Sequence, residues 1–160
     1  MTAKKRYRVY SSDSERDEVK SNISKIVVWL EEKYGIGVIF DSAGDNCFYY
    51  DDFNKDDNFI EINTRQSFCY QLFTLLHEAA HVLIRKNMKD YRKRFSQDYN
   101  KRDKFFKVDV LREEVLAWEK AMQIAKQKDI QLNEEKFYKF MRNRLHGYAV
   151  WCAKPRSNRL

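Results

Sequence analysis

Residues 75–84 read LLHEAAHVLI, an apolar run holding two histidines four positions apart and a glutamate directly after the first. No charge other than Glu78 and no helix breaker interrupts Phe73 to Ile84. From Gln66 to about Arg85 the apolar residues Phe68, Leu72, Leu75, Leu76, Ala79 and Leu83 fall in one helical stripe. On a helix, positions i and i+4 are neighbours, so His77 and His81 can aim their imidazoles at one point. Glu78 is turned about 100° from His77, within reach of a water held there. H-E-x-x-H is the pattern of a zinc site in which the metal acidifies a water and the glutamate takes its proton. Both histidines project about 140–180° from the Leu72–Ala79–Leu83 stripe. The expectation is therefore a helix with a packed leucine face and a separate metal-facing one.

A catalytic zinc takes three protein ligands and leaves one position open. Ile84 and Asn87 stand where the longer H-E-x-x-H-x-x-G-x-x-H pattern places its glycine and third histidine, so that arrangement is absent. His146 is a candidate on the last predicted helix, and Asp109 a weaker one. Glu114 is better placed. A predicted helix over about Val110 to Gln127 carries Leu111, Val115, Trp118 and Met122 on one face. If that face is inward, Glu114 lies about 60° from its centre and Glu113 about 160°, toward solvent.

Working outward, Ile23, Ile26, Val27 and Leu30 mark a first helix that Gly35 is placed to stop. Segments 36–40, 46–50 and 58–65 have strand character, and their short, turn-rich connections predict an antiparallel meander. A last helix, about Asn133 to Cys152, is marked by Phe137, Phe140, Met141, Leu145 and Tyr148. The pattern predicts an α+β fold: one domain over 1–160, a small antiparallel sheet near the N-terminus, an active-site helix and two or more further helices. Residues 1–16 and 153–160 read as flexible charged tails.

With 11 Phe, 10 Tyr and 3 Trp against 4 Gly and 1 Pro, the composition argues for an ordered core and against disorder. No apolar run approaches the roughly 18 residues of a membrane span, and MTAKKRYRVY lacks the apolar core of a signal peptide. Cys47, Cys69 and Cys152 show no C-x-x-C spacing and read as reduced thiols of a cytoplasmic protein. The net charge of +7 is concentrated in the second half, and Arg85 to Lys107 holds ten Lys/Arg against three Asp. Such a block is either a solvated loop or an attractor for nucleic acid or an acidic partner. It motivates the alternative of a nucleic-acid-associated binding protein whose metal site is structural or vestigial.

The stretch FIEINTRQSFCYQLFTLLHEAAHVLI (residues 59–84) resembles the core of the ImmA/IrrE family of small bacterial and phage-associated zinc peptidases. Ile60-Glu61-Ile62-Asn63 matches the family's strand signature, and Thr74-Leu75-Leu76-His77-Glu78 its T-L-x-H-E. The family's third ligand is a downstream glutamate followed at +3 by alanine, as Glu114 is by Ala117. Trp118 stands where many members have a polar residue. The resemblance implies a zincin-like fold, Zn2+ held by His77, His81 and Glu114, and Glu78 as general base in hydrolysis of a regulatory protein substrate. It also implies a substrate extended along a sheet edge within 36–65. His146, Tyr148 and the tyrosines between 91 and 99 are unranked candidates for the donor to the oxyanion.

Overall fold

The computed structural model describes residues 13–51, 54, 57–95 and 105–154. Its elements are α1 (Asp13–Tyr34), β1 (Gly37–Asp41), β2 (Cys47–Tyr49), β3 (Phe59–Asn63), α2 (Phe68–Arg85), α3 (Met88–Arg94), α4 (Phe106–Gln127) and α5 (Glu134–Ala153). The α+β class, with a small sheet near the N-terminus and helices after it, is the expected one. Helix α1 ends as predicted at Gly35, whose φ is +65°. The Gly35 N–H bonds Glu31 O at 2.9 Å and the Ile36 N–H reaches Leu30 O at 3.3 Å, which satisfies carbonyls the helix end would orphan.

The sheet departs from the predicted antiparallel meander. Its order is β1-β3-β2, with β1 parallel to β3 and β2 antiparallel to it. Strand directions still alternate along the chain, as short connections require; what differs is which strand takes the centre. Ile60 and Ile62 of β3 are fully buried, whereas β1 and β2 contribute no fully buried residue. The strand with most apolar surface to hide gains neighbours on both sides. Asn63 ties this strand to the site. Its side-chain amide donates to Gly44 O at 2.8 Å and its side-chain oxygen accepts from the Arg65 N–H at 2.8 Å, just before Ser67 caps α2.

Helix α2 runs through the middle of the molecule, against α1, α4, β2 and β3. Every residue from Gln71 to Val82 is buried, and so is Ile84. The expected division into a packed leucine face and a metal-facing one is present, with both faces buried. The leucine stripe meets the core, although Leu83 is only half-buried, and α4 covers the histidine face.

The inward face of α4 also differs from the projection. Asp109, Glu113, Glu114, Ala117, Trp118, Ala121, Ile124 and Ala125 are buried, while Val115 is exposed. That face is rotated by about 110° from the predicted one. The projection followed the largest apolar side chains, but Ala117, Ala121 and Ala125 let α4 lie close to its neighbours. The rotation turns Glu113 inward, contrary to the solvent-facing position expected of it.

Of the expected tails, residues 13–16 belong to α1, whose first turn gains from Asp13 and Glu15 at the positive end of the helix dipole. Ala153 closes α5; residues 1–12 and 155–160 lie outside the described residues, as do 96–104 of the basic block. Within that block Arg85 turns inward, and the Lys107 ammonium donates to Trp151 O and Lys154 O at 3.0 and 2.8 Å. Cys47, Cys69 and Cys152 are free and half-buried. Among the described residues, no helix is long and apolar enough to cross a membrane.

Candidate metal centre

Where α2 and α4 cross, His77, His81 and Glu114 bring one ligand atom each within 4.8 Å of one another. The His77 and His81 Nε2 atoms are 3.2 Å apart. Glu114 Oε2 lies 3.1 Å from His77 Nε2, and Oε1 lies 3.5 Å from His81 Nε2. Two ligands each about 2.1 Å from a tetrahedral ion stand about 3.4 Å from each other. The His77–His81 separation of 3.2 Å and the His77–Glu114 Oε2 separation of 3.1 Å lie close to that value, and the other Glu114 oxygen faces His81. All three residues are buried, and Glu114 Oε2 has no aligned hydrogen-bond donor among the described residues despite its nearness to His77. Buried groups whose lone pairs converge on one point suit a cation. The donor set, two imidazoles and a carboxylate, fits a catalytic zinc.

The two imidazoles are held by different means. His81 Nδ1 is 2.9 Å from Glu113 Oε1. Glu113 also accepts from Arg85 Nε at 2.9 Å, Arg85 Nη2 at 3.2 Å and the Tyr91 hydroxyl at 2.7 Å. Burial works to raise the Glu113 pKa, but hydrogen bonds from His81 and Arg85 outweigh it and hold it at about 2. Burial likewise works to lower the His81 pKa, and the Glu113 bond with the surrounding carboxylates raises it instead. His77 has no such partner: its Nδ1 is buried without a hydrogen bond among the described residues. Its ring instead stacks on Trp118, centroids 4.1 Å apart and planes 24° from parallel. Burial pushes its pKa down to about 4, favouring the neutral imidazole a metal requires.

Glu78 lies beside the cluster, its Oε1 4.0 Å from His77 Nε2. Burial raises its pKa to about 7, against the opposing pull of His81 and a hydrogen bond from the Phe48 N–H of β2. Burial works to raise the Glu114 pKa, but the adjacent His77, the charges of both histidines and the neighbouring Tyr148 hydroxyl outweigh it and lower it. The Tyr148 hydroxyl, in turn, is pushed up by burial and by Glu114. These groups open on a cavity of about 460 Å³ that His77, Glu78, Glu114, Trp118 and Tyr148 help to line.

Among the other sequence candidates, His146 is exposed and outside the cluster. Asp109 pairs with Arg112 at 2.8 Å. Tyr91 bonds Glu113, and Tyr99 lies outside the described residues. Arg85 was overlooked as part of the site, although its place four residues after His81 puts it on the same helix face. A carboxylate serving both was the signal to seek.

Residues 31–107 match the family described as Peptidase_M78, IrrE N-terminal-like domain. No curated protein and no solved structure gives a significant match. The matched segment carries the sheet and the two histidines and ends before Glu114. That match, over just under half of the chain, is to the Peptidase_M78 family of IrrE N-terminal-like domains and agrees with the resemblance seen in the sequence.

Proposed function

We propose that this protein is a zinc endopeptidase in which His77, His81 and Glu114 hold the metal and Glu78 is the general base. The observation that carries this reading is the convergence of His77, His81 and Glu114, one ligand atom each within 4.8 Å of the others, beside the buried Glu78 carboxyl group. Zinc held there supplies a Lewis acid for a peptide carbonyl and brings the pKa of a coordinated water to about 7.

The chain's own groups do the rest. Glu78 accepts the proton of the attacking water and returns it to the leaving amine. Burial raises its affinity for that proton, and the Phe48 N–H orients the carboxylate. Tyr148, on the cavity wall beside Glu114, can support charge on the attacked carbonyl oxygen by turning its single O–H from Glu114 to that oxygen. Among the described residues β2 pairs only with β3, which leaves its other edge unpaired, and Asn46 just before it lines the cavity. An extended peptide added along that edge runs past Glu78. A regulatory protein with an accessible extended segment is the substrate class this arrangement suits.

The test is peptide cleavage by the wild type and by Glu78→Gln, each supplied with zinc. Loss of cleavage with zinc retained is the expected result; undiminished cleavage by Glu78→Gln would refute the assignment of the base.

A further inference from the structure

Helix α5 spends its apolar face in an unusual way. Over 20 residues it buries only Phe137. Yet Phe140, Arg144, Gly147, Tyr148 and Trp151, at spacings of three and four, form a single stripe that lines the cavity beside the metal cluster. This helix lies outside the segment that matches the family. Its inward stripe serves the cavity more than the core.

Two donors of the wall residues lack an acceptor among the described residues, one exposed and one shielded from solvent. Arg144 is exposed and stands over the Phe140 ring, 5.0 Å from its centroid, with no carboxylate partner among the described residues. Trp118 is buried in the same wall, and its indole N–H has no hydrogen-bond partner among the described residues. The same cavity is lined by Val110 and by the rings of Phe140, Tyr148 and Trp151, with Glu78 and Glu114 on its metal-cluster side. A planar guanidinium fixed on an aromatic face is the geometry proteins use for carboxylates, which it can bind through two parallel hydrogen bonds. A volume of about 460 Å³ leaves room for a large side chain beside that contact.

Resting on the proposed peptidase site for the position of the scissile bond, we infer that the cavity is a specificity pocket for a peptide carboxylate, held by Arg144 beside a large apolar side chain. The carboxylate belongs either to an acidic side chain or to a chain terminus.

The test uses three N-acetylated peptides of equal length, each with one phenylalanine. The first carries a glutamate and an amidated C-terminus, the second a glutamine and an amidated C-terminus, and the third a glutamine and a free C-terminal carboxylate. Binding to the zinc-supplemented full chain is read as the change in tryptophan fluorescence, Trp118 and Trp151 lining the cavity and Trp29 lying outside it. One carboxylate peptide should bind at least about tenfold more tightly than the all-amide peptide, the scale of a charge-assisted hydrogen bond. Which one does so identifies the source. Arg144→Gln should abolish the preference and Arg144→Glu should reverse it. Equal affinities, no binding of any peptide, or a preference that survives Arg144→Gln would overturn the inference, the last by showing that the metal holds the carboxylate. Repeating the titration after chelation separates the two readings. A preference that depends on Arg144 without zinc sustains the pocket even if the metallopeptidase reading fails.

Discussion

His81 Nδ1 and Glu113 Oε1 stand 2.9 Å apart, so the carboxylate next to the proposed third ligand fixes the orientation of the second imidazole. Adjacent glutamates on α4 thus serve opposite sides of one ring: Glu114 faces Nε2 and Glu113 faces Nδ1. Partners of this kind commonly hold the tautomer and angle of a ligating histidine.

Glu113→Gln should therefore weaken zinc binding by about 10- to 100-fold while leaving the three ligands in place. Competition against a chelator of known affinity measures this. Glu113→Ala goes further, stranding the Arg85 guanidinium and the Tyr91 hydroxyl. Its cost should approach the lower end of the roughly 3–5 kcal/mol for breaking a buried pair, since Arg85 is partly exposed. Unchanged zinc affinity in Glu113→Gln would remove the positioning role.

Trp118 is expected to matter to the other imidazole. It is 2 % exposed and stacks on His77 as well as packing edge-on against Phe137. Trp118→Ala should cost about 3–5 kcal/mol in urea unfolding and loosen the metal site. Trp118→Phe should recover most of the stability. A Trp118→Ala protein as stable as the wild type would contradict the packing described.

Gly35 supplies a separate check on the fold. Its φ of +65° is costly for a side chain, although a Cβ there would meet open space. Gly35→Ala should destabilise by about 1 kcal/mol, and Gly35→Asn by less, without changing zinc content. A gain in stability for Gly35→Ala would contradict the left-handed cap.

Metal binding should itself stabilise the fold. If zinc binds only the native state, adding it at about 100 times its dissociation constant contributes about 2.7 kcal/mol. Thermal or urea unfolding with and without zinc measures this, and His81→Ala should show no such increment. An equal increment in the variant would place the metal elsewhere.

Local patterns were legible in the sequence. The H-E-x-x-H spacing brought His77, Glu78 and His81 to one region, and Gly35 marked the end of α1. Glu114 was singled out, but on an inward face that the structure rotates, because Leu111 and Val115 were given more weight than three alanines. Where packing between elements decides, the chain alone misled. The sheet order depends on burying Ile60 and Ile62 together, and Glu113 turned inward only once α4 lay against α2. The contribution of Tyr148 and Arg144 depends on where α5 docks, which helical periodicity does not specify.

The central claim is that His77, His81 and Glu114 hold one zinc ion. Elemental analysis of the full chain, purified without chelator and supplied with zinc, tests it most directly. The account predicts one zinc per wild-type chain, none in His81→Ala and much less in Glu114→Gln. A wild type that takes up no zinc, or a Glu114→Gln variant that retains a full equivalent with unchanged affinity, would contradict it.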